Sequence, residues 1–113
     1  MKSKIVALSR NEDFKHLLKG KKISNRYSTI FFNKILDKDI KKLNISFVTK
    51  KKIGNSVKRN KIKRRLRTIM NDAIKKLTLN LNYSYLVIAK ITMLNNEYAK
   101  IKEVLFADFK RIN

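Results

Sequence analysis

The chain has 113 residues, and its 29 Lys and Arg against 8 Asp and Glu give a formal net charge of +21. So one-sided a surface needs a polyanion; nucleic acid is the usual partner of a small basic domain, because neutralised phosphates release their condensed counterions, and an anionic membrane is the rival. The absence of cysteine excludes disulfides, zinc ribbons and thiol nucleophiles, and a single histidine, His16, excludes a catalytic triad carried by the protein.

The opening MKSKIVALS has too short an apolar stretch for a signal-peptide core, and no later run approaches membrane-spanning length, so a soluble, cytoplasmic protein is expected. Ser9-Arg10-Asn11-Glu12 has the form of a capping box; Phe14, Leu17 and Leu18 follow at helical spacing, and Gly20 stands where a first helix should stop. Glu12 and Asp13 read as first-turn acids rather than a metal pair, and His16 as a helix-surface residue. Tyr27 to Ile35 and Leu43 to Thr49 read as strands, with Asp37-Lys38-Asp39 as a polar turn that would pair them antiparallel.

From Asn55, apolar Val57, Ile62, Leu66, Ile69, Met70, Ala73, Ile74 and Leu77 trace one face of a long helix whose other face is basic. Tyr85 to Ile91 is a short apolar run suited to a buried strand, and Tyr98, Ile101, Leu105, Phe109 and Ile112 mark a last amphipathic helix. The order is therefore α, β, β, α, β, α. With two glycines, no proline and no repeat, nothing divides the chain, and residues 1–113 are expected to form a single RNA-binding domain.

Charge alone is a weak guide here, because Lys supplies 22 of the 29 cations and a lysine-rich surface is partly background. Placement is more informative. Between Asp39 and Asp72 there is no acid but there are 12 Lys and Arg, and four of the chain's seven arginines, Arg59, Arg64, Arg65 and Arg67, fall within nine residues. A planar guanidinium grips phosphate bidentately and stacks on bases, which an ammonium does not. Lys51-Lys52-Ile53-Gly54-Asn55 leads from a strand to the helix start, where free N–H groups attract phosphate. Arg59, Asn60, Lys63, Arg64 and Arg67 then form one strip along the helix.

The run K-K-x-G-N-[AS]-V-x-R-N-x-x-K-R-x-x-R, present as Lys51 to Arg67, resembles the signature of the bacterial ribonuclease P protein subunit. The resemblance extends over nearly the whole chain through Glu12-Asp13-Phe14, Asn25-Arg26 before the first strand, and Ala89-Lys90 after a strand. Leu18 stands where many members carry a second aromatic, and Ser56 where alanine is usual.

That likeness implies an α+β fold, a small two-layer sandwich of a mixed sheet and about three helices, with a βαβ crossover carrying the long basic helix. It implies a ribonucleoprotein endoribonuclease that removes the 5′ leader of precursor tRNA, with catalysis and Mg2+ in the RNA subunit and no cofactor on the protein alone. Lys51, Lys52, Asn55, Arg59, Asn60, Lys63, Arg64 and Arg67 would then meet the RNA subunit, and Phe14, Phe31 and Lys90 the leader. No membrane and no small-molecule substrate are expected. The alternative is a ribosomal or other small RNA-binding protein without a role in cleavage.

Overall fold

Strand Ser28–Lys34 alternates buried Ser28, Ile30 and Phe32 with half-buried Thr29, Phe31 and Asn33, so side chains on both of its faces are covered, one face more fully than the other. In the computed structural model, which describes residues 5–8, 11–35, 42–95 and 97–112, it is the third of five strands. The elements are β1 (Ile5–Val6), α1 (Asn11–Leu18), β2 (Lys21–Ser24), β3 (Ser28–Lys34), β4 (Leu43–Val48), α2 (Ser56–Lys76), β5 (Tyr83–Ala89), α3 (Thr92–Asn95) and α4 (Tyr98–Arg111). A 3-10 turn, Lys51–Ile53, precedes α2. The expected α+β sandwich is present, with one four-residue helix more than the sequence suggested. Ser9 of the capping box and the Asp37-Lys38-Asp39 turn lie outside the described residues.

The sheet order is β1-β4-β5-β3-β2. β4 and β5 are parallel, from Asn44 opposite Ser84 to Val48 opposite Ile88, and α2 is the crossover between them. β3 runs antiparallel to β5, from Ser28 opposite Ala89 to Lys34 opposite Tyr83. The expected pairing of the two early strands is thus corrected: they run in opposite directions, but β5 lies between them. The physical reason is in β5 itself, where consecutive Ser84, Tyr85, Leu86 and Val87 are buried; only a strand covered on both faces does that. β5 also starts at Tyr83 and stops at Ala89, leaving Ile91 exposed.

One sheet face carries the main core: Ile30, Ile45, Tyr85 and Val87 meet Ile62, Leu66, Ile69 and Met70 of α2 and Ile101, Leu105 and Phe109 of α4. Phe32, Tyr83, Tyr85 and Phe109 run edge to face through it at centroid separations of 5.5, 6.4 and 5.3 Å. The Tyr85 hydroxyl donates to Asn80 O at 2.6 Å, and burial, seconded by Tyr83, pushes its phenol well above the ordinary value. Asp72 of α2 and Lys102 of α4 form a 2.8 Å ion pair at the rim.

The opposite face is only partly covered. Leu17 of α1 packs with Leu8 and Leu86, while Phe14, Phe31, Val48 and Ile88 around them stay half-exposed. At its end α1 is stitched to β3: His16 Nε2 donates to Lys34 O at 2.8 Å and Asn33 Nδ2 donates to His16 O at 2.9 Å. His16 therefore ties two elements together and is more than a surface residue. Gly20 follows because a Cβ there would run into the Phe32 carbonyl and, at 2.8 Å, Asn33 Cβ. Among the described residues no helix is long and apolar enough to cross a membrane.

Candidate RNA interface

The start of α2 is built by two residues. Gly54 adopts φ 149°, ψ −162°, a region essentially reserved for glycine, and so turns the 3-10 segment into the helix. Asn55 is extended and its side-chain oxygen accepts from Lys58 N at 3.1 Å, the N-cap bond that satisfies one orphan donor. Lys51 and Lys52 are exposed just upstream.

At about 100° per residue, Arg59, Lys63 and Arg67 climb one flank of α2 and Asn60 and Arg64 lie outward beside them. Arg59 and Lys63 are half-buried at the margin, whereas Asn60, Arg64 and Arg67 are exposed. The strip read from the sequence is therefore one surface. Among the described residues none of these cations is seen in an ion pair, whereas Lys102 pairs with Asp72 and Arg111 with Asp108. Arg59 Nε is closed off from solvent with no hydrogen-bond partner, a state that costs about 1–3 kcal/mol. Arg65 turns to the opposite flank, where its Nη1 donates to Met93 O at 3.4 Å and clamps α3. Val57, expected on the apolar face, is 72% exposed, because at about 100° per residue it lies on the opposite side of the helix from Leu66.

The aromatic residues come together as expected on the half-open face. Phe14 and Phe31 both lean on the Leu8, Leu17 and Leu86 cluster. A depression of about 400 Å³ has Phe14, Phe47 and Val48 among its walls and Lys63 and Arg67 of α2 at its rim, so the basic strip borders the aromatic face directly. Lys90 lies apart from them. Its ammonium donates to Ser24 Oγ at 2.9 Å and Asn25 O at 2.6 Å, and it lines a second depression, about 490 Å³, with Thr29, Lys50, Lys52 and Ile88. Lys52 and Lys90, assigned from the sequence to different surfaces, thus share one. Lys50 and Ile88 line this depression and Val48 the first one; in the sequence they are one more lysine of a lysine-rich chain and two ordinary strand residues.

A family model described as Ribonuclease P matches residues 3–113 of this chain. The ribonuclease P protein component of Carboxydothermus hydrogenoformans is 33% identical over 102 residues, covering 87% of this chain and 83% of that one. That of Mycoplasma mycoides is 30% identical over 112 residues, covering 99% of each. Among solved structures, the RNase P protein of Thermotoga maritima superposes with a TM-score of 0.80 at 25% identity, over 96% of this chain and 98% of that one. The Staphylococcus aureus protein gives 0.76 at 25% identity over 94% and 93%. Sequence, fold and the intact Arg59-Asn60 strip agree: the chain belongs to the ribonuclease P family, as the protein component of a ribonucleoprotein endoribonuclease whose other component is ribonuclease P RNA.

Proposed function

We propose that Lys51, Lys52, Asn55, Arg59, Asn60, Lys63, Arg64 and Arg67 dock on the RNA subunit in the cytoplasm, while Phe14, Phe31 and Lys90 receive the single-stranded 5′ leader of precursor tRNA. In this reading the RNA subunit holds the Mg2+ and performs the hydrolysis; the protein supplies affinity and position. The observation that carries it is the half-open sheet face, where Phe14 and Phe31 are half-exposed on the Leu8, Leu17 and Leu86 cluster and Lys63 and Arg67 share a depression with Phe14. Aromatic rings seated in that way offer stacking surface to splayed bases without demanding a sequence, and adjacent cations follow the backbone. Arg59 Nε fits the docking role, since a side-chain rotation toward an RNA acceptor recovers the cost of its unmade bond.

The test is reconstitution with a bacterial ribonuclease P RNA at low magnesium. The protein raises cleavage of a leader-bearing precursor, and Phe31→Ala weakens binding of that precursor by about 1–3 kcal/mol for the lost stack while leaving mature tRNA unaffected. No stimulation sinks the cleavage role, and equal losses for both RNAs sink the leader site.

A further inference from the structure

The Asn25-Arg26 pair belongs to neither surface described above. Arg26 is exposed in the connection between β2 and β3, yet the backbone that bears it is held at three successive carbonyls. Lys90 Nζ donates to Asn25 O at 2.6 Å, Thr92 Oγ1 to Arg26 O at 2.6 Å, and Lys90 N to Tyr27 O at 2.8 Å. On the inner side, Asn25 Oδ1 accepts from the N–H groups of Tyr27 and Ser28, each at 2.7 Å, closing an Asx turn. Asn25 Nδ2 donates at 2.7 Å to Asp108, a carboxylate buried in α4.

Burying a carboxylate is unfavourable unless hydrogen bonds or cations compensate it. Asp108 receives Asn25 and, at 3.8 Å, Arg111. A buried charge near the far end of the chain therefore fixes the backbone of one exposed residue. That residue's guanidinium has no partner among the described residues. It is also an arginine in a chain that favours lysine: of the three arginines outside 59–67, Arg10 lies outside the described residues and Arg111 leans on Asp108, which leaves Arg26.

A planar fork on a backbone already immobilised loses less freedom when it grips a phosphate. The turn feeds straight into β3, whose Phe31 lies on the half-open face and whose Thr29 lines the depression shared by Lys50, Lys52 and Lys90. We propose that Arg26 binds a phosphate of the precursor's leader, with Asn25, Lys90, Thr92 and Asp108 as the positioning residues that present it. The inference rests on the leader reading above and extends its path over the β2–β3 turn.

The experiment is equilibrium binding to the reconstituted holoenzyme across a salt series, with leader-bearing precursor and mature tRNA as the two ligands and the RNA subunit alone as control. Arg26→Ala weakens the leader-bearing precursor about five- to tenfold and lowers the log–log salt slope by about 0.7, the value for one phosphate on a single strand. Mature tRNA and the RNA subunit bind as before. Arg26→Lys keeps the slope and loses part of the affinity. Thr92→Val, which removes the hydroxyl that holds Arg26 O, weakens leader binding about two- to threefold through lost backbone order and leaves the slope intact.

Unchanged leader affinity in Arg26→Ala overturns the proposal. Equal losses with mature tRNA or with the RNA subunit overturn the leader assignment, and a slope lowered by Thr92→Val overturns the positioning role. Phe31→Ala in parallel separates the two readings: a leader-specific loss there with none at Arg26 refutes this inference alone.

Discussion

Leu17 is fully buried and its neighbour Leu18 is 55% exposed, so the two adjacent leucines measure how α1 is held. Leu17→Ala removes roughly three methylene equivalents at about 0.8 kcal/mol each, a transfer loss of about 2.4 kcal/mol. A cavity term is added, and buried Leu→Ala changes span about 2–5 kcal/mol in all. The cluster beneath α1 has only Leu8, Leu17 and Leu86 fully inside it, with half-exposed Phe14 and Phe31 able to lean inward, so the site collapses easily. The value belongs at the low end, about 2.5–3 kcal/mol. Leu66, enclosed between α2 and the sheet, belongs at the high end, about 4–5 kcal/mol. For 113 residues a total stability of about 6–17 kcal/mol is ordinary, so Leu17→Ala remains folded but loosens α1. Urea denaturation gives the order Leu66 above Leu17 far above Leu18, hydrogen exchange speeds up across α1 in Leu17→Ala, and leader affinity falls while binding to the RNA subunit holds. Equal costs at Leu17 and Leu18 would refute the account of α1 docking.

Three other outcomes are expected. Arg59→Ala and Arg64→Ala each flatten the salt dependence of binding to ribonuclease P RNA by about one unit if each meets one phosphate; filter binding over a salt series measures it, and unchanged slopes move the interface off the strip. Gly54→Ala costs about 1–3 kcal/mol because an L side chain must enter a glycine region, whereas the nearby Lys58 side chain, 2.8 Å from the added Cβ, can swing aside; thermal melts compare it with a Ser56→Ala control. The Lys102 hydrogen bond and charge hold Asp72 below the usual carboxylate range, and Asp72 in turn raises Lys102. The pair's contribution is then present above the ordinary Asp value of 3.8, lost as pH falls through the lowered one, and lost again only as pH rises beyond the ordinary Lys value of 10.5. Asp72→Asn should be less stable than the parent at neutral pH and converge with it in acid; a gap that persists in acid excludes the ion pair as its source.

Much of α2 was legible because two independent signals coincide there: a capping asparagine after a glycine, and Ile62, Leu66, Ile69, Met70 and Ala73 on one face. Val57 misled because its spacing of five from Ile62 turns it about 140° away from the buried face, where apolar character brings no burial. The pairing of β3 with β4 was inferred from a nearby turn, a local rule that fails when a distant strand has stronger reasons to be central. β1, two residues long, and β2, whose one apolar residue is Ile23, carry too little periodicity to be seen. The cationic strip was readable from arginine placement, whereas Phe14 and Phe31 were singled out only through the family resemblance. That Lys90 clasps a turn was not, since its partners Ser24 and Asn25 lie more than sixty residues away.

Because β5 sits between β3 and β4, neither neighbour has its main ladder until residues 83–89 have been made. Asn44 waits for Ser84, and contacts so far apart in sequence are slow to form. A growing chain, extended at about 5–20 residues per second, therefore releases the cationic helix seconds before the surface on which it packs is complete. The half-open face with Leu86 and Ile88 is complete only in the step that seats β5, so a fragment ending before Tyr83 keeps the cationic strip but lacks that face.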